Sequence, residues 1–197
     1  MGILLRKLEG GDLRSKGRAD EVAREVVSDP SLLDQLLPGL DSESPVVRMR
    51  AFDALEKVSR ALPQALQPEG ALLLRLLGES QPKEVLWHLL QMIPRVHWGR
   101  EQLPAVLNAV DRALSEPSSI VRTCALQARV DLIPQSPEQK PQVIQCVQKQ
   151  LRSGTPAMRS RARKLLIALK EPPSTSIPPG ILPSGSPFPF ARRSGSG

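Results

Sequence analysis

Four stretches of this sequence align at a regular interval: SPVVRMRAFDAL from Ser44, QPKEVLWHLLQMI from Gln81, SSIVRTCALQARV from Ser118 and TPAMRSRARKLLIAL from Thr155. With Arg48, Leu86, Arg122 and Arg159 taken as equivalent, the intervals are 38, 36 and 37 residues. A period of this length marks one supersecondary unit used several times, each too small to bury its apolar face alone. Neighbouring units must therefore stack to form a core.

A second apolar stretch precedes each of these segments, ending at Leu40, Leu77, Leu114 and Leu151, eight or nine residues before the equivalent position. Each unit reads as helix, short turn, helix. Pro45, Pro82, Pro117 and Pro156 stand at or near the start of the second helix, where a fixed φ and a missing N–H do little harm. Ser44, Ser80, Ser115 and Thr155 are the nearby candidates for side-chain caps. Within the second helix the apolar residues recur at helical spacing, as in Val47, Ala51, Ala54, Leu55 and Val58, which predicts one core-facing stripe. Small residues at Ala51, Ala125 and Ala162 allow close helix approach. Aromatic residues make up only 3 % of the chain and Tyr is absent, which disfavours aromatic-filled β-sandwich cores.

The segments Pro45-Val46-Val47-Arg48 with Ala51, Ile120-Val121-Arg122 with Ala125, and Ala157-Met158-Arg159 with Ala162 resemble the second helix of HEAT repeats. The second unit departs from that pattern by carrying Leu86 in place of Arg. The family's Asp six residues before the Arg is also missing, with Ser42, Glu116 and Ser153 in its place. The resemblance covers about residues 30–170 and implies an all-α fold: a short right-handed α-solenoid of about four helix pairs. Residues 1–29 would form a leading half repeat or capping helix, built on Val22, Ala23, Val26 and Val27. A Trp-His pair in a middle repeat is similar to small bacterial HEAT-repeat proteins of unassigned function. Such a likeness speaks to the fold rather than to an activity.

Charge is distributed unevenly. Residues 1–60 carry 10 basic and 11 acidic groups, residues 61–115 carry 5 of each, and residues 116–197 carry 12 against 4. The net charge of +7 thus belongs to the C-terminal part, chiefly Arg152, Arg159, Arg161, Arg163, Lys164 and Lys170. Residues 171–197 contain 7 Pro, 4 Gly and 6 Ser, too little apolar material for a core, and are expected to be a disordered tail with Phe188 and Phe190 ahead of Arg192 and Arg193. Cys124 and Cys146 lie inside apolar helical patterns without a pairing or metal-knuckle spacing, which points to a reducing, cytoplasmic setting. The opening Met-Gly-Ile-Leu-Leu-Arg-Lys falls short of a signal segment, and no apolar run is long enough to span a bilayer.

A stacked array offers its second helices as a binding surface. Turning about 100° per residue from Val47 places Met49, Asp53, Glu56 and Arg60 opposite the core. Carried through the repeat, this gives three rows: Met49, Trp87, Thr123 and Ser160; Asp53, Gln91, Gln127 and Lys164; and Arg50, His88, Cys124 and Arg161. The candidate partner-binding set is accordingly Arg50, Asp53, Trp87, His88, Gln91, Gln127, Arg161 and Lys164. Trp87 is the large aromatic in an otherwise polar surface, the composition of a binding hot spot. No glycine-rich phosphate loop, nucleophile elbow or metal-binding helix motif is present, so no catalytic residue, metal or cofactor is assigned. The reading is a monomeric, non-enzymatic scaffold or adaptor that takes a protein or peptide on its concave face. The alternative is a nucleic-acid binder that uses the basic fourth repeat.

Overall fold

The computed structural model describes residues 2–170, all of them in helices and the turns that join them. The tail expected from residue 171 lies outside the described residues. Ten α-helices follow in order: α1 (Ile3–Arg6), α2 (Ala19–Ser28), α3 (Leu33–Leu36), α4 (Pro45–Ala61), α5 (Gly70–Gly78), α6 (Lys83–Met92), α7 (Leu103–Ala113), α8 (Ser119–Asp131), α9 (Lys140–Ser153) and α10 (Pro156–Lys170). The four repeat segments are α4, α6, α8 and α10.

Local chemistry sets these starts. Ser44 caps α4 by accepting from the Val47 N–H at 3.4 Å, and Pro45 takes the first helical position. Thr155 does the same for α10 through the Met158 N–H at 3.4 Å, followed by Pro156. At α8 the cap is Ser118, not Ser115. At α6 Ser80 plays no such part, because Pro82 occupies the cap position and offers no side-chain acceptor.

The repeated Arg has a local task. Arg122 Nη1 donates to the Glu116 carbonyl at 2.7 Å, Arg48 Nη1 donates to the Ser42 carbonyl, and Arg159 Nη1 reaches the Gly154 carbonyl at 3.2 Å. Each guanidinium thus ties its helix to the turn just before it. Twice the acceptor is the backbone carbonyl of the residue six positions upstream.

The stretch ending at Leu40 is not one helix. A 3-10 turn (Pro30–Leu32), the four residues of α3 and a second 3-10 turn (Leu37–Asp41) replace it. Pro38 has no N–H to return to the carbonyl four residues back, so the α-helical ladder stops there. Gly39 then lets this turn lie on α4: a Cβ there would fall 2.7 Å from Leu5 Cδ2 and 2.8 Å from Ala51 Cβ.

Packing builds one continuous row. α2 lies against α4, α4 against α6, α6 against α8 and α8 against α10. α5 packs on α6 and α7, α7 on α8, and α9 on α8 and α10. The stripe read from the sequence is buried, with Val47 2 % exposed and Ala51, Ala54, Leu55 and Val58 fully covered. The main core runs from Leu4 to Leu132 and holds Phe52, Leu73, Leu89, Met92 and Trp98. A smaller cluster of Leu126, Val143, Val147, Ala162 and Leu165 joins α9 and α10 to α8.

Two glutamines stitch the exits of the row. Gln67 accepts from the His97 N–H at 2.9 Å and donates to its carbonyl at 2.8 Å. Gln135 accepts from the Trp98 N–H and donates to the Val96 carbonyl, both at 2.9 Å. The backbone after α6 is therefore held from both neighbouring pairs. Among the described residues no helix is long and apolar enough to cross a membrane.

Candidate functional site

The accessible surface of the second helices carries most of the predicted binding residues. Asp53, Trp87, Gln91, Gln127 and Arg161 are half-buried and Lys164 is exposed. They come from α4, α6, α8 and α10 in turn, so the repeat register does bring them onto neighbouring helices. Arg161 Nη1 donates to Gln127 Oε1 at 3.0 Å, and Gln127 Nε2 donates to Asp131 Oδ1 at 2.8 Å. The same kind of bridge links α2 to α4: Lys57 Nζ lies 2.6 Å from both Asp53 Oδ2 and Asp20 Oδ1, with Lys16 also paired to Asp20. Burial pushes the Asp20 carboxyl up, but the two lysines outweigh it and hold the group below its ordinary value.

Trp87 lies on α6, which packs between the helices α4 and α8 that carry these bridges. Its carbonyl accepts from Gln91 Nε2 at 3.1 Å, and its ring meets His88 edge-on, with centroids 5.6 Å apart at 69°. It is separate in role from Trp98, which is 4 % exposed and donates its indole N–H to the Ile93 carbonyl at 2.9 Å. Trp98 is thus a core residue with its polar atom satisfied, whereas Trp87 is only partly covered.

Two predicted members of the site are not on this face. Arg50 is 2 % exposed and lies under the loop that joins α1 to α2. Its guanidinium donates to five carbonyls: Leu8 at 2.8 Å, Glu9 at 3.1 Å, Gly10 at 2.6 Å, Asp12 at 3.2 Å and, through Nε, Ser15 at 3.0 Å. All three guanidinium nitrogens are engaged, so Arg50, 2 % exposed, clamps the N-terminal segment rather than facing a partner. Gly17 closes the clamp at φ 51°, where a Cβ would sit 2.7 Å from Arg50 Cζ.

His88 is 8 % exposed. Burial lowers its pKa to about 4, with Asp53 and Glu56 pulling it up and Lys57 and Arg60 pulling it down. The imidazole is neutral at physiological pH, and its Nδ1 is buried without a hydrogen-bond partner. Met49 and Thr123, from the same predicted rows, are likewise buried. Thr123 turns its hydroxyl back to the Ser119 carbonyl at 2.7 Å.

The structure also contains a polar cluster that rotation from Val47 misplaced. Glu56 was expected opposite the core, yet it is 1 % exposed. Its carboxylate accepts from Arg60 Nε at 2.8 Å and Nη2 at 2.6 Å, and from Arg95 Nη2 at 2.9 Å. Arg95 enters from the turn after α6 and also donates to Ser59 Oγ and the Glu56 carbonyl. Burial raises the Glu56 carboxyl, but the paired guanidiniums overcome it and keep the group ionised. The sequence signal was the 3-10 tripeptide Ile93-Pro94-Arg95, which ends α6 and throws a long basic side chain back toward α4.

Cys124 and Cys146 are free and half-buried. Burial pushes the Cys124 thiol up to about 12, which keeps it protonated and unreactive as a nucleophile. Among the described residues no three His, Cys, Asp or Glu side chains converge on a metal position. What the face can do chemically is recognise: it offers an aromatic ring, amide groups, one carboxylate and two cations. Compared with known proteins, the chain matches no family model, no curated protein and no solved structure.

Proposed function

We propose that this chain is a non-enzymatic interaction scaffold: a short right-handed solenoid of about four HEAT-like pairs that receives a protein or peptide on its row of second helices. Asp53, Trp87, Gln91, Gln127, Arg161 and Lys164 form the docking surface, and the setting is the cytoplasm. Trp87 carries the reading, since a partly accessible Trp on helices that also carry amides and charges is the residue type that dominates binding energy when a partner covers it. Arg161 and Lys164 at one end and Asp53 at the other give the surface a charge gradient that would orient an extended segment.

The test is capture from a cell extract by the wild-type chain beside Trp87→Ala, with nuclease treatment and a salt series on both. A partner that survives nuclease and is lost with Trp87→Ala, at a melting temperature close to wild type, is the expected outcome. A melting loss equivalent to a core Trp deletion, roughly 3 kcal/mol or more, would reassign Trp87 to packing and remove the anchor.

A further inference from the structure

The outer flank of α10 departs from the pattern that the rest of the row follows. Alignment on Arg48, Leu86, Arg122 and Arg159 makes Phe52, Leu90, Leu126 and Arg163 equivalent. The first three are at most 1 % exposed, and Leu126 packs with Ala162 and Leu165 of α10. Arg163 at the same position is exposed. One turn on, the equivalent residues are Glu56, Pro94, Val130 and Ile167. Glu56 binds Arg95 of the following pair, and Val130 joins the cluster under α9 and α10, but Ile167 is 60 % exposed. Positions that on α8 and α4 meet the following pair are thus occupied on α10 by a cation beside an exposed apolar residue.

The charge around this flank is one-sided. Residues 140–170 hold eight Lys and Arg and no Asp or Glu, and among the described residues none of the eight is in an ion pair. Arg159 and Arg163, four apart on one stripe, repel each other and oppose the helix they belong to. The small cluster beneath α9 and α10 offers limited compensation. Arg159 is used on the Gly154 carbonyl, but among the described residues Arg163 has neither a hydrogen bond nor an ion pair, and a residue that breaks a local rule without a structural return marks a place where function sets the sequence.

We propose that this flank docks an acidic amphipathic helix of a partner protein, which lies beside α10 where a further second helix of the row would lie. Arg163 and Lys170 meet its carboxylates and Ile167 its apolar stripe. The molecule already contains the pairing in miniature, since Glu56 of α4 is met by Arg95 of the next pair at 2.9 Å. The chain's own residues 171–197 do not fit the charge, because they supply Glu171 against Arg192 and Arg193. A phosphodiester strand would use the cations but leave Ile167 without a role, so the apolar residue inside the basic stripe favours a protein helix.

The experiment uses the full chain and a fluorescein-labelled helical peptide of about 18 residues, composed of Glu, Ala and Leu with the Leu on one face. Its controls are a scrambled peptide of identical composition, a short DNA duplex, and Trp87→Ala. Fluorescence anisotropy is expected to show saturable binding of the amphipathic peptide, at least about tenfold weaker for the scrambled one. Arg163→Glu and Ile167→Ser should each weaken it by about tenfold or more, while Trp87→Ala leaves it unchanged. Both substitutions are at exposed positions, and an unaltered melting curve shows that the fold is intact. Equal binding of the scrambled peptide or the duplex, indifferent to Ile167→Ser, would overturn the proposal in favour of a generic polyanion surface. So would absence of binding, or loss with Trp87→Ala, which would move the peptide to the open face.

Discussion

Replacing Glu56 by Gln tests whether the buried charge cluster holds α4 to the pair that follows. The substitution keeps the size and most of the shape of the side chain but removes its charge. Arg95, whose side chain is 5 % exposed, would then keep only the Ser59 hydroxyl, the Glu56 carbonyl and a neutral amide as partners. Breaking a buried pair from one side costs about 3–5 kcal/mol, because the remaining charge stays desolvated. The amide can still accept from the guanidiniums, so about 3 kcal/mol is the expected loss. For a domain of this size that is a drop of roughly 6–12 °C in Tm. The chain supplies its own control: Arg75 and Glu79 form an i,i+4 pair at 2.6 Å with side chains 52 % and 44 % exposed. Glu79→Gln should cost no more than about 0.5 kcal/mol, since both groups are already solvated. Urea titration followed by circular dichroism measures both variants under one condition. If Glu56→Gln lost no more than Glu79→Gln, water would be screening the cluster and the argument from burial would be wrong. Acid provides a second check. A carboxyl held below its unfolded value contributes stability above that value and loses it as pH falls through the lowered one, and Glu56→Gln should lack this acid limb.

Two further outcomes follow from the buried polar groups. His88 is held neutral to about 4, below the 6.5 of a free imidazole, so stability is fully present above 6.5 and falls as pH drops toward 4, by about 2 kcal/mol at pH 5. Tm measured between pH 7 and 5 should show that slope in the wild type and lose it in His88→Phe; an unchanged slope would place the titration elsewhere. Gly17→Ala forces a Cβ against the Arg50 guanidinium from a left-handed backbone, and should expose residues 9–18 to limited proteolysis with a loss of about 1–3 kcal/mol. A proteolysis pattern identical to wild type would show that the clamp on this loop does not depend on Arg50.

The repeat was legible because its causes are local. Pro45 and Pro156 at helix starts, the capping hydroxyls Ser44 and Thr155, and the Val47 stripe each act within one or two turns. The broken segment before Asp41 was less legible although its cause, Pro38, is equally local. There the apolar run Leu32, Leu33, Leu36 and Leu37 gave a helical pattern that the missing N–H then cut short. The Arg50 clamp could not be read at all. It joins residues 35 to 42 positions apart through backbone carbonyls, which leave no trace in side-chain pattern.

For the candidate face, the same rotation worked on α10 and failed on α4. A helix has one buried stripe only if it has neighbours on one side. Among the described residues α10 packs chiefly against α8 and α9, and the predicted outward residues Ser160 and Lys164 are exposed. α4 has α2 and α6 on its flanks, the turn Leu37–Asp41 behind it, the α1–α2 loop over Arg50 and Arg95 over Glu56. Its polar residues were therefore enclosed by elements that the repeat does not contain or that follow it in the chain. A charged residue in the interior of the row is for this reason an unsafe marker of a binding surface, and the same residue type at the end of the row is a better one. That distinction removes Arg50 and His88 from the proposed docking face and leaves Trp87, Gln127 and Arg161 as its candidates, with Arg163 and Ile167 on the proposed flank of α10.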